Sequence, residues 1–330
     1  MPTISLCLIT KNEEQFIEDC LASVKDFVTE IIVVDTGSSD KTKEIARKFT
    51  DKIVDFTWCD DFSAPRNEAL KHATGDWILV LDADEILPAE SKAKIKEAIE
   101  NGDAGAYYLP QVTFTNLYTN DPTFIRNPIT IKDKPFSGYI AGDIIRLFQH
   151  KRGVTYDNFV HETVEYSLQS KKMKIGWLAA PFLHFHELKE TSHVHGKQEY
   201  YAQLSFKNLE KYPQHSKNYY DISLYYHAYQ KDEQKALAYA EKAVKLEPQR
   251  IEFRLNLSFR LRDVGRRQEA LAVLLPLLKT HRDERVFIEL GDLFAADGNK
   301  ANAQTMYQKA LQLNTPRKEL ILQKIANCKS

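Results

Sequence analysis

The amino-acid sequence predicts an α/β unit over residues 1–190, a linker helix over 191–217 and an all-α repeat unit over 218–330. Three observations carry this reading. Short apolar runs alternate with segments of helical period through the first hundred residues, the pattern of strands and crossover helices in a mostly parallel sheet. Each of those runs stops abruptly on polar or acidic residues. In the last third, small and apolar residues return every 33 or 34 positions, the mark of stacked helix pairs.

Taken in order, residues 3–9 read as a first buried strand and Thr10–Glu14 as the turn after it. Phe16, Ile17, Cys20, Leu21 and Val24 recur at helical spacing, which gives a helix over about 13–25 one apolar stripe. Ile31–Val34 is the second strand. It ends on Asp35, and Thr36-Gly37-Ser38-Ser39-Asp40 is a turn-and-cap cluster opening a helix at 40–49. Ile53–Phe56 reads as a third strand. Asp61-Phe62-Ser63-Ala64-Pro65-Arg66-Asn67 then opens a helix ending at Gly75, with Ser63 expected as N-cap and Pro65 in the first turn. Trp77–Leu81 is an unbroken apolar run, a strand buried on both faces, and it meets Asp82-Ala83-Asp84-Glu85 directly. A helix at 92–100 and a strand over Tyr107–Phe114 follow. Residues 116–142, rich in Asn, Asp, Pro and Gly, are expected to form a long flexible loop. Ile144–Phe148 and Val164–Leu168 are expected strands, and Leu178–His186 a strand or edge segment.

The last third carries the repeat. Leu224, Leu257 and Leu290 are 33 apart, and Ala236-Leu237 returns as Ala270-Leu271 after 34 positions. Leu246-Glu247-Pro248 is echoed in Leu313-Asn314-Thr315-Pro316. Period and closing proline together read as tetratricopeptide repeats: helix pairs over 218–246, 251–280 and 284–313, and a capping helix from 316.

Composition narrows the function classes. Lys plus Arg number 45 against 46 Asp plus Glu, a net charge of −1, which speaks against a general nucleic-acid surface. A hydrophobic share of 43% and a charged share of 28% belong to an ordinary globular protein. Cys7, Cys20, Cys59 and Cys328 are scattered without a Cys-x-x-Cys pair, so reduced thiols in a cytoplasmic protein are expected. The first residues run straight into a strand, without a basic n-region or cleavage site, which predicts no secretory signal. The longest apolar run, Leu271–Leu278, contains Pro276 and falls far short of the roughly 20 residues a membrane helix needs, so no integral membrane segment is expected.

In a parallel sheet, ligands collect at the carboxyl ends of the strands. Thr10–Glu13, Asp35–Asp40, Asp61–Arg66 and Asp82–Asp84 each follow a strand and are expected on one edge. Asp82 and Asp84, two apart, point the same way in extended chain. Two carboxylates at a sheet mouth repel each other unless a cation lies between them, and hard oxygen ligands suit Mg²⁺ or Mn²⁺ carrying substrate phosphates. The plainer alternative is an acidic turn. Asp40 reads equally as a helix cap, Lys11 and Glu13 as a solvated turn, and Arg66 as a structural ion-pair partner. His184, His186, His193 and His195 lack zinc-ligand spacing and are read as solvated or packing histidines.

On Thr10-Lys11-Asn12-Glu13, Val33-Val34-Asp35-Thr36-Gly37-Ser38-Ser39-Asp40, Asp61–Asn67 and Asp82-Ala83-Asp84, residues 3–190 resemble the inverting glycosyltransferases of family 2. Asp143–Phe148, Val160-His161-Glu162 and His184 match the second half of that pattern, although His186 and Glu187 stand where the family usually has glycine and tyrosine. The chain is most similar to bacterial members with a tetratricopeptide tail, including those that glycosylate peptides on cysteine or serine.

The resemblance implies the GT-A nucleotide-diphospho-sugar transferase fold, a Rossmann-like mixed sheet, and a hexosyltransferase whose expected donor is a UDP-sugar. It implies that Thr10, Asn12, Glu13, Asp35, Ser38, Arg66, Asp82 and Arg146 bind the nucleotide sugar. Asp35 would accept from base or ribose groups, and Arg66 and Arg146 would reach phosphate oxygens. Asp84 and Asp82, with His161 as a further ligand, would hold Mg²⁺ or Mn²⁺, a Lewis acid for the departing diphosphate. Inversion needs a base on the far face of the sugar, and Glu162, Asp143 and His161 are the candidates. The acceptor is expected to be a peptide, protein or glycan, with the repeats as a concave surface for it or for homo-oligomer formation. The competing readings are an enzyme of envelope glycans or lipid-linked sugars, and a catalytically silent scaffold. A nucleotidyltransferase ranks behind both, because the turn Thr10–Glu14 has no glycine.

Overall fold

Strands β1 (Ile4–Thr10), β2 (Glu30–Asp35), β3 (Ile53–Asp55) and β4 (Trp77–Val80) lie parallel in the order β3-β2-β1-β4. They belong to a computed structural model that describes residues 2–116, 124–131, 133–150, 153–185, 194–313, 315 and 317–329. His186, Glu187, His193, Asn314 and Pro316 lie outside the described residues. The chain divides into two units, Met1–Gln198 and Glu199–Ser330.

Alternation along the strands builds a core on each face of the sheet. Leu6, Leu8, Ile31, Val33, Leu79 and Leu81 pack against Ile17, Cys20, Leu21 and Val24 of α1 (Ile17–Val24), Ala46 of α2 (Thr42–Ala46) and Ile95 of α4 (Ala89–Asn101). Cys7, Ile32, Val34, Ile78 and Val80 face Ala69 and Leu70 of α3 (Ser63–His72). Helices on both faces are why these strands read as unbroken apolar runs. The sheet then turns mixed. β8 (Lys134–Gln149) is antiparallel to both β4 and β6 (Ala106–Thr115), and β10 (Phe182–His184) and β9 (Ile175–Trp177) run parallel to β6. The two-residue β5 (Glu85–Ile86) closes the order against β10.

Three local expectations are corrected. The flexible loop expected at 116–142 contains β7 (Ile125–Ile131), which pairs antiparallel with β8. Phe136 anchors this hairpin against Phe16, Phe114 and Phe185, and β6 supplies the ladder from Thr115↔Gly138 inward. Gly138 is there because a Cβ would run into the carbonyl oxygen of Ile125. Val164–Leu168 is not a strand but leads into α5 (Glu165–Ser170), where the buried pair Val164 and Leu168 has helical i,i+4 spacing. Ser63 does not cap α3 with its side chain. Asp61 Oδ1 accepts from Ser63 N at 2.8 Å and does that work.

In the second unit, α7 (Ser216–Tyr225) pairs with α8 (Glu233–Leu246), α9 (Ile251–Asp263) with α10 (Arg267–Leu274) and α11 (Glu284–Ala296) with α12 (Lys300–Leu311), followed by α13 (Lys318–Lys329). Helix α6 (Val194–Lys211) precedes them, and a π-helical turn, Tyr226–Gln230, extends α7. Ala236, Ala240, Ala270, Ala303 and Ala310 are fully buried where helices cross, which is why small residues carry the period. Gly291 is tighter still, since a Cβ there would penetrate the ring of Tyr307. Gly291→Ala is expected to destabilise the repeat unit by about 1–3 kcal/mol through overpacking. A urea midpoint equal to the parent's contradicts that contact.

The same unit holds a buried acid. Glu289 is 3% exposed, with Arg262 Nη1 at 2.7 Å and Ser258 Oγ at 3.3 Å. Burial outweighs the Arg262 guanidinium and pushes its carboxyl up to about 7. An acid raised on folding stabilises the fold below its ordinary pKa, and that stability is lost as pH rises through the folded value. The repeat unit is therefore expected to lose on the order of 3 kcal/mol between pH 5 and pH 8 from this group. Urea titrations at both pH values check it: Glu289→Gln should remove this component, and an unchanged pH dependence refutes the assignment.

Candidate active site

Thr10 and Asp35 are register partners at the carboxyl ends of β1 and β2, 4% and 1% exposed. Asp35 Oδ1 accepts from Gly37 N at 3.0 Å and Ser38 N at 2.8 Å, so it shapes the turn leaving its own strand. Its Oδ2 and the Thr10 hydroxyl are buried with no hydrogen-bond partner. The turn after β1 interlocks with this one. Asn12, at φ 55°, accepts from Ser39 N through Oδ1 at 2.8 Å and donates its own N–H to Ser38 Oγ at 2.9 Å. Glu13 N donates to Thr42 Oγ1 at 2.7 Å. Asp40 accepts from Thr42 N at 3.0 Å and Glu14 N at 3.1 Å, the structural role open to it from the sequence. Thr10, Asn12, Glu13, Asp35 and Ser38 thus share one pre-shaped loop pair.

Beside it runs a chain of alternating charge. Arg66, on α3, contacts Asp82 Oδ1 through Nη2 and Glu162 Oε1 through Nε at 3.0 Å. Arg146 Nη2 donates to Asp82 Oδ2 at 2.8 Å and to Glu85 Oε1 at 2.7 Å. Both arginine side chains are buried, at 5% and 8% exposed, while the Asp82 side chain keeps 33%. Arg146 reaches the site by a β-bulge: Tyr107 pairs with Leu147 and Tyr108 with Ile145, so Arg146 is the extra residue. Bulges re-aim side chains in this way beside functional sites. Burial works against ionising Asp82, but the Arg146 and Arg66 guanidiniums outweigh it and hold the carboxyl well below the usual range. Arg66 Nη1 and Arg146 Nε are buried without a hydrogen-bond partner.

Asp84, 5% exposed, lies on the other side of the turn. Its Oδ2 is 3.4 Å from His184 Nε2, and His184 Nδ1 is 3.0 Å from Thr113 Oγ1. Burial disfavours the imidazolium, yet the Asp84 carboxylate wins and raises the His184 pKa. The expected metal set Asp84, Asp82 and His161 is not assembled. Among the described residues the one histidine–acid trio with metal-ligand spacing is His227, Glu233 and Asp263, in the repeat unit. Both Asp82 oxygens serve guanidiniums, and His161 is exposed at φ 53°.

Of the three base candidates, Glu162 joins the charge chain through Arg66. Asp143 does not: it is exposed and accepts from Trp177 Nε1 at 3.0 Å. Glu85, Gln111 and the pairing of His184 with Asp84 are not among the site residues the sequence predicts. Glu85 had a signal, a third acid directly after a buried strand. Gln111 had none, because only the sheet brings it across.

The described residues contain no helix long and apolar enough to cross a membrane. Residues 5–148 match Glycosyl transferase family 2, and residues 216–250 and 284–316 match the tetratricopeptide repeat. A TPR repeat-containing protein of Synechococcus elongatus is 38% identical over 51% of this chain and 37% of its own length. The SPbeta prophage-derived glycosyltransferase SunS of Bacillus subtilis is 31% identical over 49% of this chain and 34% of its own length. An uncharacterized glycosyltransferase of Rickettsia typhi is 33% identical over 37% of this chain and 41% of its own length. The chain thus covers well under two thirds of each of these relatives. Its mixed-sheet unit carries a family 2 glycosyl transferase domain at residues 5–148, and tetratricopeptide repeats follow it.

Proposed function

We propose that this chain is an inverting glycosyltransferase that moves a sugar from a nucleotide-diphosphate sugar, a UDP-sugar first, to a peptide, protein or glycan acceptor. The observation that carries the reading is a single sheet edge where Thr10, Asp35, Arg66 and Arg146 are buried with unsatisfied polar atoms. Buried groups left unpaired are costly, so such atoms point to a polar ligand. Asp35 Oδ2 is placed to accept from a base N–H or ribose hydroxyl, with the Thr10 hydroxyl beside it. Arg66 Nη1 and Arg146 Nε supply charged donors for phosphate oxygens.

Mg²⁺ or Mn²⁺ fits at Asp84, a buried carboxylate with an imidazole neighbour, and we assign His184 rather than Asp82 or His161 as its companion. A divalent ion there supplies Lewis-acid charge for the departing diphosphate. Glu162, linked to the phosphate side by Arg66, is assigned as the base that takes the acceptor proton. The repeats offer stacked helices on which a peptide or protein acceptor, or a second copy, can dock. Four free thiols are in keeping with a reducing, cytoplasmic setting.

The test is a nucleotide-sugar panel with Mn²⁺ or Mg²⁺, scored by released nucleoside diphosphate, which needs no acceptor. Turnover of at least one donor supports the reading. No release together with no calorimetric binding of UDP or GDP returns the scaffold alternative. With an active donor, Asp35→Asn is expected to raise the donor KM about tenfold, the effect of one lost hydrogen bond to a buried charged group, and to change kcat less. An unchanged KM removes Asp35 from the nucleotide pocket.

A further inference from the structure

We infer that Glu85 is a positioning residue for the diphosphate end of this site, holding Asp82 at both its backbone and its carboxylate; the inference rests on the donor reading above. Glu85 is fully buried, on a strand of only two residues. Its Oε2 accepts from Asp82 N at 2.8 Å. Its Oε1 accepts from Gln111 Nε2 and Arg146 Nη2, each at 2.7 Å. The same Arg146 nitrogen donates to Asp82 Oδ2 at 2.8 Å, so one guanidinium nitrogen bridges the two acids. Glu85 N in turn donates to Asp82 O at 3.0 Å and closes the turn that carries Asp84.

Burying a carboxylate costs several kcal/mol unless partners surround it, and a plain turn is served by a neutral residue. Here the buried charge has three donors, and each bears on the position of Asp82. The Asp82 amide fixes the backbone. Arg146, re-aimed by its bulge, fixes the side chain. Gln111 comes from β6 and ties Glu85 itself to the sheet. Glu85 is not exposed and so does not touch substrate; it acts through Asp82, Arg146 and the turn holding Asp84. Misplacement of reacting groups by about 1 Å can cost roughly a hundredfold in rate.

The experiment uses the full chain and nucleoside diphosphate release from the best donor of the panel. Glu85→Gln, nearly isosteric, is expected to lower kcat by roughly 10- to 100-fold while circular dichroism shows a folded protein. Gln111→Leu, which removes one donor and no charge, is expected to lower kcat several-fold. In a double-mutant cycle, Glu85→Gln combined with Arg146→Lys should lose less than the sum of the two single losses, because the two share the hold on the Asp82 carboxylate. A Glu85→Gln enzyme within twofold of the parent kcat, or additive losses in the cycle, overturns the role. If Glu85→Gln does not fold, Gln111→Leu decides, and a parent-like kcat overturns it. A parent protein that releases nothing from any donor overturns the donor reading and this role with it, whereas parent turnover with an unaffected Glu85→Gln overturns the role alone.

Discussion

Asp84→Ala is expected to cut metal-dependent release of nucleoside diphosphate by about a thousandfold, the scale of losing several kcal/mol of charge stabilisation at the leaving group. The fold should survive the change. The Asp84 carbonyl still accepts from Phe185 N, and the strand before it keeps both of its cores. Steady-state kinetics with Mn²⁺ or Mg²⁺, alongside a thermal midpoint, separate lost chemistry from lost structure. An Asp84→Ala enzyme that works at the parent rate with either ion sinks the metal assignment. Asp82→Ala should behave differently. It leaves two buried guanidiniums, Arg66 and Arg146, without the carboxylate between them, so stability should fall together with activity.

Arg66→Ala is expected to show the largest loss of stability in the first unit, about 3–5 kcal/mol, because it takes the guanidinium from Glu162 and leaves Asp82 with Arg146 alone. Arg66→Lys should recover only part of it. A point-like ammonium cannot span two carboxylates as the planar fork does. Urea unfolding monitored on the first unit measures both. A loss below about 1 kcal/mol for Arg66→Ala would mean that the pairs are as weak as exposed ones. Activity adds a second discriminant: Arg66→Lys that folds well but turns over poorly assigns the guanidinium to the diphosphate as well as to the scaffold.

The strand–helix alternation of residues 4–80 was legible in the sequence because those strands are buried on both faces and local hydrophobicity alone marks them. The edge beyond β4 was not. The hairpin β7–β8 is rich in residues that favour turns, and its stability comes from Phe136 packing on Phe16, Phe114 and Phe185, contacts distant in sequence. The helix at Glu165–Ser170 differs from the expected strand for a related reason. Val164 and Leu168 suit either period over so short a span, and tertiary packing chose between them. The repeats stood out because each helix crossing demands a small residue at the same place in the period.

For the site, sequence order alone determined that Thr10, Asp35, Arg66 and Asp82 follow strand ends, and a parallel sheet has one carboxyl edge, so they must meet. What each acid does there was decided only by the tertiary structure. Asp82 and Asp84 are chemically identical and two residues apart. One is surrounded by guanidiniums from α3 and from a bulge on β8, the other by an imidazole from β10. Charge partners across a sheet have no local signature, and they decide whether a carboxylate braces a turn or faces a ligand. That is why a motif of three residues could be found in the chain but not divided into roles there.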